Sequence, residues 1–462
     1  MSPTTRMSSE RERPRLGFRL TVALAIAALS LAVVALTLAN VAQGPQLLGA
    51  EVNPRAAVER AGQLLILQTD QPLTGVEPSQ VSVAPAVPIE VSWQGATVEV
   101  RFVRALKYAT DYRVSAVVTS AATGASSTIT HSFRTPSAEV YVLQRTGSAG
   151  EESSDQIVRT VPGAAERKVV HSAARIQEFA VSGPFLAVIT QDGDSAGTLA
   201  VGPLNGSGPW KTLATDSVVS QLQASETNGV FGFVLQPLSG PAKDRTQLHL
   251  YDPAVGDQLT GLVGLDGKPL DPELWAFVPG TRAIVAQTTD ALFFLIDSVT
   301  GSVKPLGGHG GMHGFVNGTP TLILEKDGRY VAFDLATGKR TEIPLGDLVQ
   351  SAVVYQLLAL PDGGYVSLVA RLEDGELRFS IEAIGQGAFR TIYAPEPAGS
   401  MIPRVCLSPN GQFLAVEDVP PGTETDGYDI LPGYLQSRVV VLDSSTGNFQ
   451  GEEAGFGADW CH

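Results

Sequence analysis

The sequence predicts an all-β protein with an N-terminal transmembrane helix, a β-sandwich and a seven-bladed β-propeller closed by the C-terminal strand. Three observations lead to this prediction. An apolar run occupies 17–39, strands of alternating polarity fill 61–136, and from residue 138 two kinds of turn recur about every 45 residues. The 48 Gly and 30 Pro are scattered among Val, Leu, Ala and Thr, as many short strands joined by turns require.

The apolar run 17–39 contains only one charged residue, Arg19. As a helix it reaches about 34 Å, which is enough to cross a bilayer. A cleaved signal peptide is the alternative, but its apolar region is usually about 7 to 15 residues long, so the length favours an uncleaved anchor. Arg residues are concentrated at the start of the chain, and the positive-inside rule therefore predicts a cytoplasmic tail over 1–16, with 40–462 outside the cell membrane.

The charge of the chain argues against a nucleic-acid partner. The formal net charge is −15. The first twenty residues hold five Arg and two Glu, so the remainder has 27 basic (32 − 5) and 45 acidic (47 − 2) residues and a charge near −18. An acidic body of this kind repels phosphate backbones.

Residues 40–60 are a predicted juxtamembrane linker, and the segment after them is a predicted sandwich. Period-two alternation is clearest in TVEVRFV and YRVSAVV, where one face is apolar and the other polar. QPLTGVEPSQVSVAPAV, ALKYATDYRVSAVV and HSFRTP, within 61–136, resemble the bacterial Ig-like domains of surface-layer and secreted proteins. The resemblance implies a spacer or adhesion module with no catalytic centre.

Two series of turns alternate through 138–462. In the first series, a strand ends in Asp, and Gly follows after three further residues. The Asp carboxylate can accept hydrogen bonds from the amides of its own turn, and Gly supplies positive φ. Each such turn is therefore a predicted hairpin. Four turns fit this pattern, LHLYDPAVG, FFLIDSVTG, YVAFDLATG and VVVLDSSTG, and three weaker ones make seven. The second series has six turns, at Gly183, Gly229, Gly280, Gly318, Gly363 and Gly411.

Two hairpins per period make a four-stranded blade, and such blades stack around an axis because one blade cannot bury its faces alone. The first series has seven turns and the second has six, so one blade lacks a turn of the second kind. We interpret this blade as split between the two chain ends, which gives seven blades in total. RVCLSPNGQFLAVE and VVVLDSSTG resemble the repeats of TolB-like and WD40-like bacterial propellers. The resemblance implies the fold and not an activity, since this architecture hosts binding proteins, scaffolds and enzymes.

The two cysteines are predicted to form a disulfide. Cys406 lies on the innermost strand of blade 7, and one further period reaches GADWCH at the chain end, which is predicted to supply the innermost strand of blade 1. Cys406 and Cys461 then lie on adjacent strands, with Trp460 between blades. Outside the cell membrane two thiols oxidise if their Cα atoms come within about 7 Å. The alternative is two small buried hydrophobes that never meet.

Three motifs have some features of a catalytic or metal site, and none is predicted to be one. GDSAG around Ser195 fits the serine-hydrolase pattern, but strand-like segments flank it where a nucleophile elbow needs a strand and a helix. His309 and His313 have zinc-ligand spacing in a Gly-rich loop without a third ligand nearby. Asp192 and Asp194 lack the rest of a calcium loop. We therefore predict no catalytic residue, no metal and no cofactor.

The insertion at 417–436 is longer than a hairpin needs, and it contains Tyr428 and Tyr434. Long loops in compact domains are often functional, and Tyr is common at binding hot spots, so these two residues are candidate partner contacts. A disordered excursion is the alternative.

The leading function hypothesis is a membrane-anchored extracytoplasmic binding or scaffold protein whose propeller binds a protein or a glycan of the cell envelope. An enzyme, either a hydrolase or a lyase acting on an envelope polymer, is the alternative. An enzyme would bring several ionisable side chains together at one end of the channel. The predicted innermost strands QEFAVS, ELWAFVP and PRVCLSP share no such constellation. A sensor is disfavoured because only about sixteen residues precede the predicted anchor.

Overall fold

The computed structural model describes residues 17–146, 154–191, 196–225, 229–242, 245–256, 258–346, 348–385, 388–428 and 430–461. The predicted cytoplasmic tail, together with Asp192, Asp194 and Ser195, lies outside these residues. The chain divides into two compact units. Unit 1 comprises 17–53, 63–103 and 111–133, and unit 2 comprises 54–62, 104–110 and the residues from 134 onward.

The N-terminal apolar run corresponds to helix α1 (Phe18–Ala42). Within the described residues, the structure contains no helix whose length and apolar character suffice to cross a membrane. A spanning helix needs about 20 consecutive, predominantly apolar residues. The predicted transmembrane helix over 17–39 is therefore wrong.

Unit 1 contains two antiparallel sheets. One has the strand order β1-β2-β5-β4 and the other β3-β6-β7. A 3₁₀ turn (Pro78–Gln80) precedes β3. The strands are β1 (Leu47–Val52), β2 (Leu64–Thr69), β3 (Val81–Ala84), β4 (Ile89–Gln94), β5 (Thr97–Phe102), β6 (Asp111–Thr119) and β7 (Ser126–Arg134).

The alternation read from the sequence sets which side chains of unit 1 are buried. Every second residue of TVEVRF in β5 is buried, and so is every second residue of YRVSAVV in β6. The two sheets meet through Phe102 of β5 and Phe133 of β7, whose ring centroids are 6.1 Å apart. The assignment of this unit as an Ig-like domain stays a prediction.

Unit 2 is a β-propeller, which confirms that part of the prediction. Each blade is an antiparallel meander, and β14 is long enough to end blade 2 and begin blade 3. Blade 1 contains β8 (Val140–Gln144), β9 (Asp155–Thr160) and β10 (Arg167–Ala173); blade 2 contains β11 (Ile176–Ser182), β12 (Phe185–Gln191), β13 (Gly197–Pro203) and β14 (Lys211–Ala224); blade 3 continues with β15 (Phe231–Pro237), β16 (Gln247–Tyr251) and β17 (Leu259–Gly261).

The four later blades have four strands each. Blade 4 contains β18 (Leu274–Phe277), β19 (Ala283–Gln287), β20 (Leu292–Asp297) and β21 (Val303–Gly308); blade 5 contains β22 (Gly311–Phe315), β23 (Thr321–Lys326), β24 (Arg329–Asp334) and β25 (Arg340–Ile343); blade 6 contains β26 (Val353–Ala359), β27 (Tyr365–Glu373), β28 (Glu376–Gly385) and β29 (Ala388–Tyr393); blade 7 contains β30 (Val405–Leu407), β31 (Phe413–Asp418), β32 (Arg438–Asp443) and β33 (Phe449–Ala454).

The Asp-to-Gly turns are hairpins with the predicted chemistry. Asp297 Oδ1 accepts hydrogen bonds from the amides of Val299 (2.9 Å) and Thr300 (3.1 Å), and Gly301 has φ of 72°. These amide hydrogen bonds hold the pKa of Asp297 below its usual value. Asp334 and Asp443 bind the amides of their own turns in the same way.

Unit 2 also includes two short segments from earlier in the chain, helix α2 (Pro54–Glu59) and the loop 104–110. Leu106 N donates to Ala57 O (2.7 Å). Asn410 Nδ2 donates to Leu106 O (2.8 Å), and Tyr108 N donates to Gln412 Oε1 (2.8 Å). These bonds attach both segments to blade 7. The remaining helix, α3 (Leu348–Ser351), lies between blades 5 and 6.

The C-terminal segment takes the open inner edge of blade 1, but it does so through one β-bridge at Phe456 and a turn at 459–460, and the described residues of GADWCH do not form the predicted strand. Phe456 and Leu143 exchange two backbone hydrogen bonds of 2.9 Å, and Asp459 N donates to Tyr141 O (3.0 Å). Gly455 makes this approach possible, because its φ is +113° and an added Cβ would lie 2.3 Å from the Leu143 carbonyl oxygen. The ring of blades is thus closed by hydrogen bonds between the two ends of unit 2.

Asp459 in the C-terminal segment is expected to make the free energy of unfolding depend on pH. Burial raises the pKa of Asp459 to about 7, although its hydrogen bond from Tyr141 N (2.8 Å) opposes this. The folded protein therefore holds a proton that the unfolded chain releases near pH 4, so this group's stabilising contribution is complete below about pH 4 and is lost as pH rises through about 7.

Asp459→Asn removes this titration while keeping an oxygen acceptor for the Tyr141 amide. We expect the variant to match the wild type near pH 4 and to be the more stable of the two at pH 8, with the difference growing by at most about 1.4 kcal/mol per pH unit. Urea unfolding at pH 4 to 8 measures it. A difference that stays constant across this range would contradict the prediction.

Candidate binding site in the central channel

The first strand of each blade lines a central channel, and side chains on these strands connect neighbouring blades. Gln177 Nε2 donates to Val219 O (2.8 Å), which joins blades 2 and 3. Gln223 Nε2 donates to Trp275 O (2.7 Å), which joins blades 3 and 4. Val405 N donates to Gln356 Oε1 (3.3 Å), which joins blades 6 and 7. The channel wall is therefore polar and fixed in position by its own hydrogen bonds.

Two cavities lie along the channel and share Gln223, Pro403, Arg404 and Cys461. The first, which we call the Glu178 cavity, has a volume of about 510 Å³. The second, which we call the His313 cavity, has a volume of about 380 Å³. Both volumes are in the range of small-molecule sites, roughly 300–1,000 Å³.

Ionisable groups from two blades converge at the Glu178 cavity. Glu178 Oε2 accepts from Leu222 N (2.8 Å), and Glu417 Oε1 accepts from Gly457 N (2.7 Å). Arg404 lies beside both and is exposed, and among the described residues it forms no ion pair within 4 Å with either. One guanidinium and two carboxyl groups therefore line the same cavity.

The environment raises the pKa of both carboxyl groups. For Glu178 and Glu417 burial is the main cause, and the positive charge of Arg404 acts against it in both cases. Glu417 is 7% exposed. Such groups can hydrogen-bond, exchange a proton or accept a compensating charge from a ligand.

The rim of the Glu178 cavity is apolar. Leu274 at the start of β18 is 45% exposed, and Leu431 in the insertion is 44% exposed. Ile430 and Pro432 beside Leu431 also line the cavity. An apolar rim around a few fixed polar groups is the usual composition of a ligand site.

The blade 7 insertion is folded against blades 1 and 2 beside this cavity. Tyr428 is 7% exposed, its hydroxyl donates to Asp155 Oδ2, and its ring lies 3.7 Å from Arg145 Cζ and 4.7 Å from Arg175 Cζ. Burial and the Asp155 hydrogen bond raise the pKa of Tyr428. Tyr434 is half-buried and pairs with Thr425. Tyr428 therefore stabilises the fold from inside, whereas Leu431 of the same insertion is exposed.

Cys406 and Cys461 are joined by a disulfide bond with a Cα–Cα distance of 5.0 Å. Trp460 beside it donates from Nε1 to Glu139 O (3.0 Å) and stacks on Phe413 at 6.5 Å between ring centroids. The bond therefore ties the closing segment to blade 7 while Trp460 bridges blades 7 and 1. Cys461 lines both cavities.

The two histidines weighed as zinc ligands have different surroundings. His309 packs against Phe293 and His313 against Tyr330, with ring centroids 5.7 and 5.1 Å apart respectively. Across the described residues there is no group of three or more side chains that could hold a metal ion. The expectation that no metal binds stays a prediction.

Sequence reasoning missed Glu178, Arg404 and Glu417 as a group. The innermost-strand segments QEFAVS and PRVCLSP contain the first two, but they sit at different points of their strands and therefore show no shared position. Glu417 lies near the end of β31, in which all six residues are buried. Two acidic residues at the end of an apolar strand, Glu417 and Asp418, were the available signal, because buried acids are rare without a role.

No protein-family model and no curated protein matches this chain. It is similar in structure to the β-propeller domain of the Trilobed protease from Pyrococcus furiosus, with 11% identity, a TM-score of 0.44, and coverage of 74% of this chain and 93% of that one. A similarity to an auxiliary nutrient binding protein from Bacteroides thetaiotaomicron has 10% identity, a TM-score of 0.35, and coverage of 86% and 99%. A protein of unknown function from the same organism matches at 12% identity, a TM-score of 0.37, and coverage of 81% and 95%.

Proposed function

We propose that this protein binds a ligand through its central channel and acts outside the cytoplasm, with a protein or a glycan of the cell envelope as the partner. The observation that carries the proposal is the convergence of Arg404, Glu178 and Glu417 at one cavity with an apolar rim. Binding energy in protein complexes is concentrated in a few residues, and Arg is enriched among them. The disulfide supports an oxidising compartment, since such bonds are rare in the cytosol.

Replacing Arg404 by Ala tests this proposal. Its side chain is exposed and forms no ion pair within 4 Å among the described residues, so the melting temperature is expected to stay within about 1 °C, as for most surface substitutions. Affinity for the partner is expected to fall at least tenfold. The full chain, immobilised on beads, is incubated with envelope proteins and glycans, and bound material is quantified by mass spectrometry and sugar analysis.

Arg167→Ala is the matched control, because Arg167 is an exposed arginine on β10 that pairs with Glu453 away from the channel. Capture should be unchanged in this variant. If Arg404→Ala retained every partner that the wild type captures, the channel would not be the binding site.

An enzyme remains the second candidate, because the two carboxyl groups with raised pKa at one end of the channel are the arrangement that proton-transfer catalysis uses. Glu178→Gln and Glu417→Gln separate the two functions. For a binding protein, incubation of the wild type with the captured polymer releases no product. For a hydrolase or lyase, product appears and either substitution abolishes it, while binding persists.

A further inference from the structure

We infer that the His313 cavity is a second ligand site and that the ligand it takes is a saccharide ring. The inference rests on the proposed function in one respect, namely that the channel binds a ligand. It adds the location of a second site and the chemical class of the ligand that binds there. The cavity lies where the first strands of blades 3 to 7 end in turns, with Trp460 from the chain end completing its wall.

The aromatic side chains of the cavity suit a pyranose ring. Phe277, Phe315 and Trp460 line it, and all three residues are half-buried. Trp460 is held by its Nε1 hydrogen bond and its stacking on Phe413. Rigid aromatic faces provide contact area for the C–H faces of a sugar at little cost in side-chain entropy.

Three planar amides stand around the aromatic faces, each fixed at one end. Asn317 Nδ2 donates to Ser408 O (3.2 Å), Gln223 Nε2 donates to Trp275 O, and Gln356 Oε1 accepts from Val405 N. Among the described residues, the opposite atom of each amide has no hydrogen-bond partner. Oriented amides with one uncommitted atom can donate to or accept from sugar hydroxyls without first rearranging.

His313 lies in the wall of the cavity, with its ring packed against Tyr330. Its side chain is 7% exposed, and neither ring nitrogen has a hydrogen-bond partner among the described residues; the nearest carboxylate, Glu325 Oε2, lies 3.5 Å from Nε2. Burial lowers the pKa of His313, and the neighbouring Glu325 carboxylate acts against this shift. In its neutral form the ring has one donor and one acceptor. Buried polar groups are nearly always paired in native proteins. Both nitrogens are closed to solvent as the ring stands, so a sugar hydroxyl would pair with one of them once the ring turns toward the cavity.

The charge of the cavity lining restricts which sugars are expected to bind. Its lining contains no Asp or Glu and one charged side chain, Arg404, in a protein of net charge −15. In the lining itself a cationic ligand would meet Arg404 and no carboxylate; the nearby carboxylate of Glu325 lies beside His313 outside the lining. Neutral sugars and sugars with a carboxylate are therefore expected to bind, whereas sugars with a free amino group are not.

The test uses the full chain with glucose, N-acetylglucosamine, glucuronate and glucosamine as separate probes. Binding is followed by saturation-transfer NMR and by tryptophan fluorescence, to which Trp460 is expected to respond. We expect at least one of the first three sugars to bind and glucosamine to bind at least tenfold more weakly. Trp460→Phe should abolish the fluorescence change while the NMR signal remains.

His313→Ala is expected to weaken sugar binding at least tenfold, and His313→Gln, which keeps a donor and an acceptor, should retain more affinity than His313→Ala. His171→Ala is the matched control, because His171 also packs against an aromatic ring, Trp210 at 4.5 Å, but lies on β10 outside the cavity. The melting temperature of each variant shows whether it is folded.

The outcomes separate this inference from the proposed function. Two results would overturn the saccharide site alone. In the first, folded His313→Gln and His313→Ala bind sugar as well as the wild type does. In the second, no sugar binds while the Arg404-dependent capture of a partner persists. Failure of sugar binding together with failure of capture overturns both.

Discussion

Arg145→Met is expected to lower the free energy of unfolding by about 3–5 kcal/mol, because it breaks a buried ion pair by removing one partner. Arg145 Nη1 lies 2.5 Å from Asp426 Oδ2, and both side chains are 1% exposed. The remaining carboxylate would be buried without its counter-charge. The guanidinium also donates to the carbonyl oxygens of Ile176 (2.9 Å), Gln177 (2.7 Å) and Leu431 (3.1 Å), which would lose a donor.

The effect should be large because Arg145 joins three parts of the propeller. It follows β8 of blade 1, its carbonyl partners include the start of blade 2, and Asp426 belongs to the blade 7 insertion. Its Cζ also lies 3.7 Å from the Tyr428 ring centroid and 4.8 Å from that of Phe456. Cation–π contacts strengthen when they are desolvated, so the substitution removes several interactions at the seam where the ring closes.

Urea unfolding of the full chain measures the loss. Arg55→Ala is the control, because Arg55 and Glu59 form an ion pair whose side chains are 67% and 37% exposed, and removing it should cost less than about 0.5 kcal/mol. The double variant Arg145→Met/Asp426→Leu should lose less than the sum of the two single losses, since no unpaired charge remains. A loss for Arg145→Met no larger than that for Arg55→Ala would contradict the interpretation.

Cys406→Ser is expected to cost about 4 kcal/mol. The disulfide closes a loop of 55 residues, and the chain-entropy relation for a loop of that length gives this value for the constraint on the unfolded state. The bond also fastens the segment that completes blade 1, so its loss leaves this segment held only by its hydrogen bonds and by Trp460.

Three further measurements check the disulfide prediction. Cys461→Ser and the double variant should lose as much stability as Cys406→Ser, because one bond is removed in each case. Reduction of the wild type should lower its melting temperature to that of the variants, and non-reducing mass spectrometry of protein produced in an oxidising medium should show no free thiol. Two free thiols in oxidising medium, or an unchanged melting temperature, would refute the prediction.

Local physical rules acting on the sequence determined the β-propeller. Turns such as the one from Asp297 to Gly301 depend on a carboxylate that binds its own amides and on a positive φ, so they can be recognised without knowing the rest of the structure. Period-two alternation likewise determined which side chains of β5 and β6 are buried. The same local reasoning was wrong for the transmembrane helix.

Only the tertiary structure decided the candidate site. Glu178 is far in sequence from Arg404 and Glu417, and the three residues occupy unequal positions on or beside their strands, so no spacing rule relates them. They meet because the closed ring of blades brings the start of blade 2 and the inner strands of blade 7 to one cavity. Tyr428 was expected to face a partner because of its residue type and its long loop, but the packing of that loop places its ring between Arg145 and Arg175. Turn geometry depends on neighbours in sequence, whereas burial and convergence depend on residues that only folding brings together.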